Sequence, residues 1–265
     1  MPYAIDPLST LNPFSRTAVH LTAFFNAQQL ATGTGVIAQH PSGCYLITAL
    51  HILTGRDPET QQPLRTDGGI PNRLAVEGCQ FRFEINLYSG DNTPSETTRL
   101  FAVHPRGPRV DVSLMRITGD RGNLMPLDIS FLTESLNAEL KLYVSQTCYI
   151  LGFPEGLIHK PCEGVVIPIW KTGHLASEPG FDFDDLPRLL IDATTRSGMS
   201  GAMVFVTKPP LSGFVGIYTG RYKQPMNEES SPDERDRRFT SELGWVFRSA
   251  VVHELITSLS GPPHG

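Results

Sequence analysis

The sequence predicts an all-β protein: two packed six-stranded antiparallel β-barrels followed by a C-terminal helix. Three observations carry this expectation. Twenty-four glycines and 22 prolines punctuate 265 residues, above average usage of about 7% and 5%, which is the pattern of short strands joined by turns. About six β-patterned segments recur on either side of a turn-rich stretch at 119–137, the expected crossover. Finally, a helical period stands out at the C-terminal end, where Ser249 can cap a helix and Ala250, Val251, Leu255, Ile256 and Leu259 share one face. The expected division is 1–125 for the N-terminal barrel and 126–265 for the C-terminal barrel with its helix.

Taken in order, 16–25, 31–38 and 44–50 read as a β-meander with turns at Asn26-Ala27 and Pro41-Ser42-Gly43. A polar segment at 55–72 gives way to strand-like 74–88, 97–103 and 110–117, each rich in β-branched, aromatic or alternating residues. In the second half the strand-like segments are 141–152, 162–170, 172–176, 188–193, 202–206 and 212–219, with a last strand at 244–248. Between the last two, 222–242 carries a mixed-charge run and reads as a solvated loop.

Composition excludes several function classes. With 22 basic against 27 acidic side chains the net charge is −5, so nucleic acid is not an expected partner. The longest apolar runs, 165–170 and 202–206, fall far short of the roughly 18 residues of a membrane helix, so no membrane association is expected. The N-terminus lacks a basic n-region and an apolar h-region, which makes a cytoplasmic location the expectation. Cys44, Cys79, Cys148 and Cys162 form no C-x-x-C pair, and His159-x-x-Cys162 is the closest approach to ligand spacing. It reads as structural, and neither a metal nor a cofactor is expected.

Three residues carry candidate chemistry. Ser200 lies between two glycines in Gly198-Met199-Ser200-Gly201 and just before an apolar run. Glycine tolerates positive φ and close approach, so the N–H groups of Gly198 and Ser200 could be aimed at one developing oxyanion. His51 ends the apolar run 44–50, and Asp111 interrupts a β-patterned segment where an acid needs hydrogen-bond partners. Singly, each has a plainer reading: a Gly-Ser turn, a core histidine, a satisfied acid. Together they give the chain order His, Asp, Ser, 60 and then 89 residues apart, which is the chymotrypsin order and not that of subtilisins or α/β-hydrolases.

The surrounding motifs resemble those of trypsin-like serine peptidases of the chymotrypsin fold, nearest in style to bacterial stand-alone and HtrA-like protease domains. Thr34-Gly35-Val36 and Thr48-Ala49-Leu50-His51 resemble the family's glycine-bearing strand and histidine motif. Asp111-Val112-Ser113-Leu114 resembles its aspartate motif, and Gly198-Met199-Ser200-Gly201-Ala202 its nucleophile motif. The resemblance extends over about 16–260. It implies a bacterial serine endopeptidase acting on a peptide or protein substrate, with Ser200 as nucleophile, His51 as general base, Asp111 orienting His51, and the Gly198 and Ser200 N–H groups as the oxyanion hole. It also implies a substrate pocket of Thr194, Tyr218, Thr219, Gly220 and Gly244, with Thr194 at its base, Gly220 and Gly244 in its walls, and Thr219 to Arg221 presenting backbone to an extended substrate. An uncharged pocket for an apolar or medium-sized P1 side chain follows, rather than one for arginine or lysine.

Departures from the family pattern carry expectations too. Met199 replaces the aspartate that receives a cleaved N-terminal amine in secreted members, and Ile52 and Arg196 replace disulfide cysteines, in keeping with a reducing compartment. Tyr218 is expected to replace the serine that hydrogen-bonds the catalytic aspartate. A rival triad, Ser200 with Asp233 or Asp236 and His253, has the α/β-hydrolase order but lacks the strand-to-helix context of that nucleophile. The remaining alternative is a latent or non-catalytic protein-binding module on the same fold, opened by a regulatory partner, because 222–242 adjoins the expected pocket in sequence.

Overall fold

The computed structural model describes residues 10–119, 124–128, 141–208, 211–222 and 242–260. A short helix α1 (Pro13–Thr17), whose Phe14 N–H is accepted by Asn12 Oδ1 at 2.9 Å, leads into β1 (Ala18–Phe25). The meander follows as β2 (Gln28–His40) and β3 (Gly43–Thr48), with Asn26 at φ 53° in the first turn. Helix α2 (Leu50–Thr54) comes next, then β4 (Arg73–Gly78), β5 (Phe81–Asn86), β6 (Ser113–Ile117) and a short β7 (Leu127–Asp128). The second half contains β8 (Thr147–Gly152), β9 (Ile169–Leu175), β10 (Arg188–Asp192), β11 (Ala202–Lys208), β12 (Leu211–Arg221), β13 (Leu243–Arg248) and helix α3 (Ser249–Ser260).

The second set closes into a six-stranded barrel in the order β10-β13-β12-β11-β8-β9. The first runs β5-β4-β1-β2-β3-β6, with β7 added parallel to β2, and curls without closing between β5 and β6. The reason lies in 97–103, expected as a strand. It makes only the single bridges Tyr88 to Arg99 and Phe101 to Met115, while 74–88 divides into the hairpin β4–β5 with Gln80 in the left-handed region at φ 68°. Likewise 162–170 contributes isolated bridges before β9 begins.

Three apolar clusters organise these sheets. One fills the curl of the first sheet around Leu21, Ile37, Leu46 and Leu74, and another fills the closed barrel around Ile150, Ile191, Val204 and Val246. The third lies between the halves, joining Val36, Ile47 and Leu114 to Met203, Phe205 and Phe247 and to Val251, Val252, Leu255 and Ile256 of α3. Helix α3 therefore packs across both halves. Its buried face includes Val252, which the expected face omitted, and leaves out Ala250 and Leu259, which are exposed. The cleft that holds the polar residues below opens along this shared interface. The crossover at 119–137 and the mixed-charge loop at 222–242 lie largely outside the described residues, as do Asp233 and Asp236.

Candidate active site

His51 stands in the first turn of α2, not at the end of a strand. β3 stops at Thr48, Ala49 stays extended, and the helix ends at Gly55, whose N–H returns to the His51 carbonyl at 2.9 Å. The first amides of any helix lack internal acceptors, and here Asp111 supplies them. Its carbonyl accepts from Leu50 N at 3.3 Å and its Oδ1 from His51 N at 2.9 Å. The other carboxylate oxygen, Oδ2, accepts from His51 Nδ1 at 2.7 Å. Asp111 is buried at 3% exposure just before β6, and these hydrogen bonds from the protein meet the need of a buried carboxyl for partners. With Nδ1–H committed to the carboxylate, the imidazole's Nε2 is the nitrogen left to accept a proton.

Ser200 sits on the facing wall, in the turn before β11. Two left-handed glycines make that turn. Gly198 has φ 86° and would drive a Cβ into the Phe153 carbonyl, and Gly201 has φ 88° and would drive one into the Thr34 carbonyl. The turn is stitched to the first half: Thr34 N donates to the Ser200 carbonyl at 2.8 Å, and Thr34 Oγ1 donates to the Gly198 carbonyl at 2.8 Å while accepting from Phe153 N at 2.9 Å. Thr48 Oγ1 in turn donates to the Thr34 carbonyl at 2.7 Å. In the sequence Thr34 shows only as part of a glycine-bearing strand; in the structure its hydroxyl braces the Ser200 loop.

The Ser197 carbonyl accepts from Glu155 N at 2.7 Å. In a trans peptide the next N–H points the opposite way, so the Gly198 N–H is turned away from Glu155. Among the described residues neither the Gly198 nor the Ser200 N–H has an acceptor within the protein. Ser200 Oγ itself donates to the Thr219 carbonyl at 3.1 Å.

Thr219 lies at a bulge in β12, where the register with β13 shifts between Tyr218 and Gly220. β11 stops pairing at Tyr218, so beyond the bulged Thr219 only β13 pairs with 220–221 among the described residues. The bulge also corrects the expected place of Tyr218. Its hydroxyl does not bond Asp111 but meets Thr195 Oγ1 at 2.5 Å, and its ring joins the closed-barrel cluster and fills the space a Cβ on Gly244 would need. Burial pushes the Tyr218 phenol up to about 12. Met199 is likewise buried in the barrel core.

A cavity of about 630 Å³ contains His51, Asp111, Ser200, Tyr218, Thr219 and Gly220 in its lining. Thr194 is exposed and does not line it, and neither does Gly244. Nor is the cleft as a whole uncharged, since Arg109 and Arg188 line it together with Glu59 and Asp184. The rival triad finds no support, because Ser200 is followed by β11 and not by a helix.

Comparison with known proteins follows the same lines. The chain is similar in fold to the Rv3671c protease from M. tuberculosis in its active form, with a TM-score of 0.53 at 16% identity, covering 95% of this chain and 85% of that one. The Ser343Ala inactive form of Rv3671c gives 0.52 at 16% identity over 98% and 97% of the two chains. A serine endoprotease from Yersinia pestis gives 0.53 at 16% identity, covering 93% of this chain but 64% of its own length. At such identities these likenesses show the fold alone. No curated protein sequence matches the chain. The family profile described as a trypsin-like peptidase domain, however, matches residues 33–209, more than half of the sequence; the chain belongs to the trypsin-like peptidase family.

Proposed function

We propose that this trypsin-like serine protease is an endopeptidase that cleaves peptide bonds through a His51–Asp111–Ser200 triad and an acyl-enzyme. The observation that carries the reading is the 2.7 Å contact of His51 Nδ1 with buried Asp111 in the same cleft as Ser200. Ser200 Oγ attacks the scissile carbonyl carbon as its proton passes to His51 Nε2, and the Asp111 carboxylate stabilises the imidazolium. The N–H groups of Gly198 and Ser200 receive the oxyanion. Collapse expels the amine, which takes the proton from His51. Water then attacks the ester with His51 again as base, releasing the acid and restoring Ser200.

The substrate residues N-terminal to the scissile bond pair in extended form with 219–221, along the edge that β11 leaves uncovered. For P1 we propose an apolar or medium-sized side chain rather than arginine or lysine, because the Tyr218 ring and its Thr195 partner occupy the barrel side of the site and provide no carboxylate. A peptide library with varied P1 tests both parts. Turnover that disappears in His51→Ala and favours apolar P1 agrees with the reading; a dominant P1 arginine, or turnover unchanged in His51→Ala, contradicts it.

A further inference from the structure

One group in the cleft has no part in the triad. Arg188, on β10, keeps only 6% of its side chain exposed yet lines the cavity. Its guanidinium carbon lies 3.7 Å from the centroid of the Trp245 ring, and Trp245 pairs with Gly220 across the β12–β13 ladder. The arginine therefore lies beside the strand that the proposed reading assigns to the substrate residues N-terminal to the scissile bond. Nη2 donates to Asp184 Oδ2 at 2.9 Å and Nη1 to Glu59 Oε1 at 3.0 Å, while the buried Nε has no acceptor among the described residues.

Glu59 reaches this site from the other half of the molecule. It sits on a turn fixed by Asp57, whose Oδ1 accepts from the N–H groups of Glu59 and Thr60 at 3.0 Å each. Its second oxygen, Oε2, accepts from Arg109 Nε at 2.9 Å. One carboxylate thus spans two arginines from opposite walls of the cleft, in the way a ligand carboxylate would. Yet its side chain is 44% exposed and that of Arg109 51%. The Glu59–Arg109 pair, so open to water, is weak, and the buried Arg188 keeps its Asp184 partner when Glu59 leaves.

We infer that Arg109 and Arg188, over Trp245, form a subsite for an acidic side chain on the N-terminal side of the scissile bond, and that Glu59 fills it when no substrate is bound. An incoming aspartate or glutamate replaces one carboxylate with another, so both arginines stay paired. A glutamine cannot offer both arginines a charge and leaves Glu59 in place across the cleft. The preferred substrates are therefore peptides with an acidic residue within a few positions before the cleaved bond. This inference rests on the proposed mode of substrate binding, though not on catalysis.

The test measures binding to Ser200→Ala protein of matched peptides carrying glutamate or glutamine at each of the three positions before the scissile bond. In this background the glutamate peptide should bind several-fold tighter at one position. Adding Glu59→Gln should raise that preference to tenfold or more, and adding Arg109→Gln to the double variant should return it close to one. Arg109 is exposed enough for its replacement to leave the fold intact. Equal binding of the two peptides in the Glu59→Gln background, weaker binding of the glutamate peptide, or no binding of either would overturn the subsite. Turnover by the unmodified protein separates this from the peptidase reading. Turnover without acidic preference removes the subsite alone, whereas acidic preference in binding without turnover removes the peptidase reading alone.

Discussion

The two walls of the cleft are built by different means. On one, His51 and Asp111 are fixed within the first half: the start of α2 delivers two N–H groups and the imidazole to a single aspartate. On the other, the Ser200 turn depends on the opposite half, because Thr34 N and Oγ1 hold the Ser200 and Gly198 carbonyls. His51, the proposed base, is thus oriented locally, and Ser200, the proposed nucleophile, is positioned across the interface between the halves. Damage to the first wall should act on proton transfer. Damage to the second should act on alignment.

The largest effect expected from breaking the first wall is that of Asp111→Asn. An amide can donate to His51 and stabilise the wrong tautomer, so kcat should fall by about 10⁴-fold with the fold retained. A loss under tenfold would show that His51 is oriented by other groups. On the second wall, Thr34→Val removes the hydroxyl between Gly198 and Phe153 and leaves two buried backbone groups unpaired, a cost of about 1–3 kcal/mol. If that cost falls on the transition state, kcat drops roughly 10- to 100-fold, KM changes little, and Thr34→Ser restores most of the rate. A change confined to KM, or no rescue by serine, would make Thr34 a packing residue only.

A smaller effect concerns pH. His20 lies edge-on to Phe153, the residue whose carbonyl backs the Gly198 turn. Burial lowers its pKa, partly offset by Glu77 at 4.0 Å, whose charge is shared with Arg82 and Lys160. The unfolded chain therefore takes up this proton first, and stability should decline as pH falls below about 6.5 toward the folded value. His20→Leu should flatten that part of the thermal-stability profile, and an unchanged slope would assign it to other groups. Smallest of all is Tyr218→Phe, costing about 1 kcal/mol through the lost contact with Thr195. Because the folded phenol is pushed up to about 12, its contribution is complete below pH 10 and fades above it. The alkaline decline in Tm should be shallower in the variant.

How legible these walls were differs in the same way. That His51, Asp111 and Ser200 share one cleft was legible because each lies in a short motif of distinctive residue types, and the chain order then joins them. The closed barrel and α3 followed from strand punctuation and helical period. What the sequence did not disclose depends on pairing at long range. Thr34 meets Gly198 across 164 residues and Glu59 meets Arg188 across 129, and neither contact has a local signature. Tyr218 was misplaced for a different reason: a bulge at Thr219 shifts the alternation by one residue and turns the side chain to the other face. The open edge between β5 and β6 was hidden because 97–103 has strand composition but makes only isolated bridges.

The most direct test of the central claim is fluorophosphonate labelling of the purified protein, read by intact mass and peptide mapping beside a Ser200→Ala control. One label, at Ser200 and absent from the control, is the predicted result, since only a serine activated by His51 and backed by an oxyanion hole reacts this way. A folded protein that takes no label, or a label that persists in Ser200→Ala, would contradict the account.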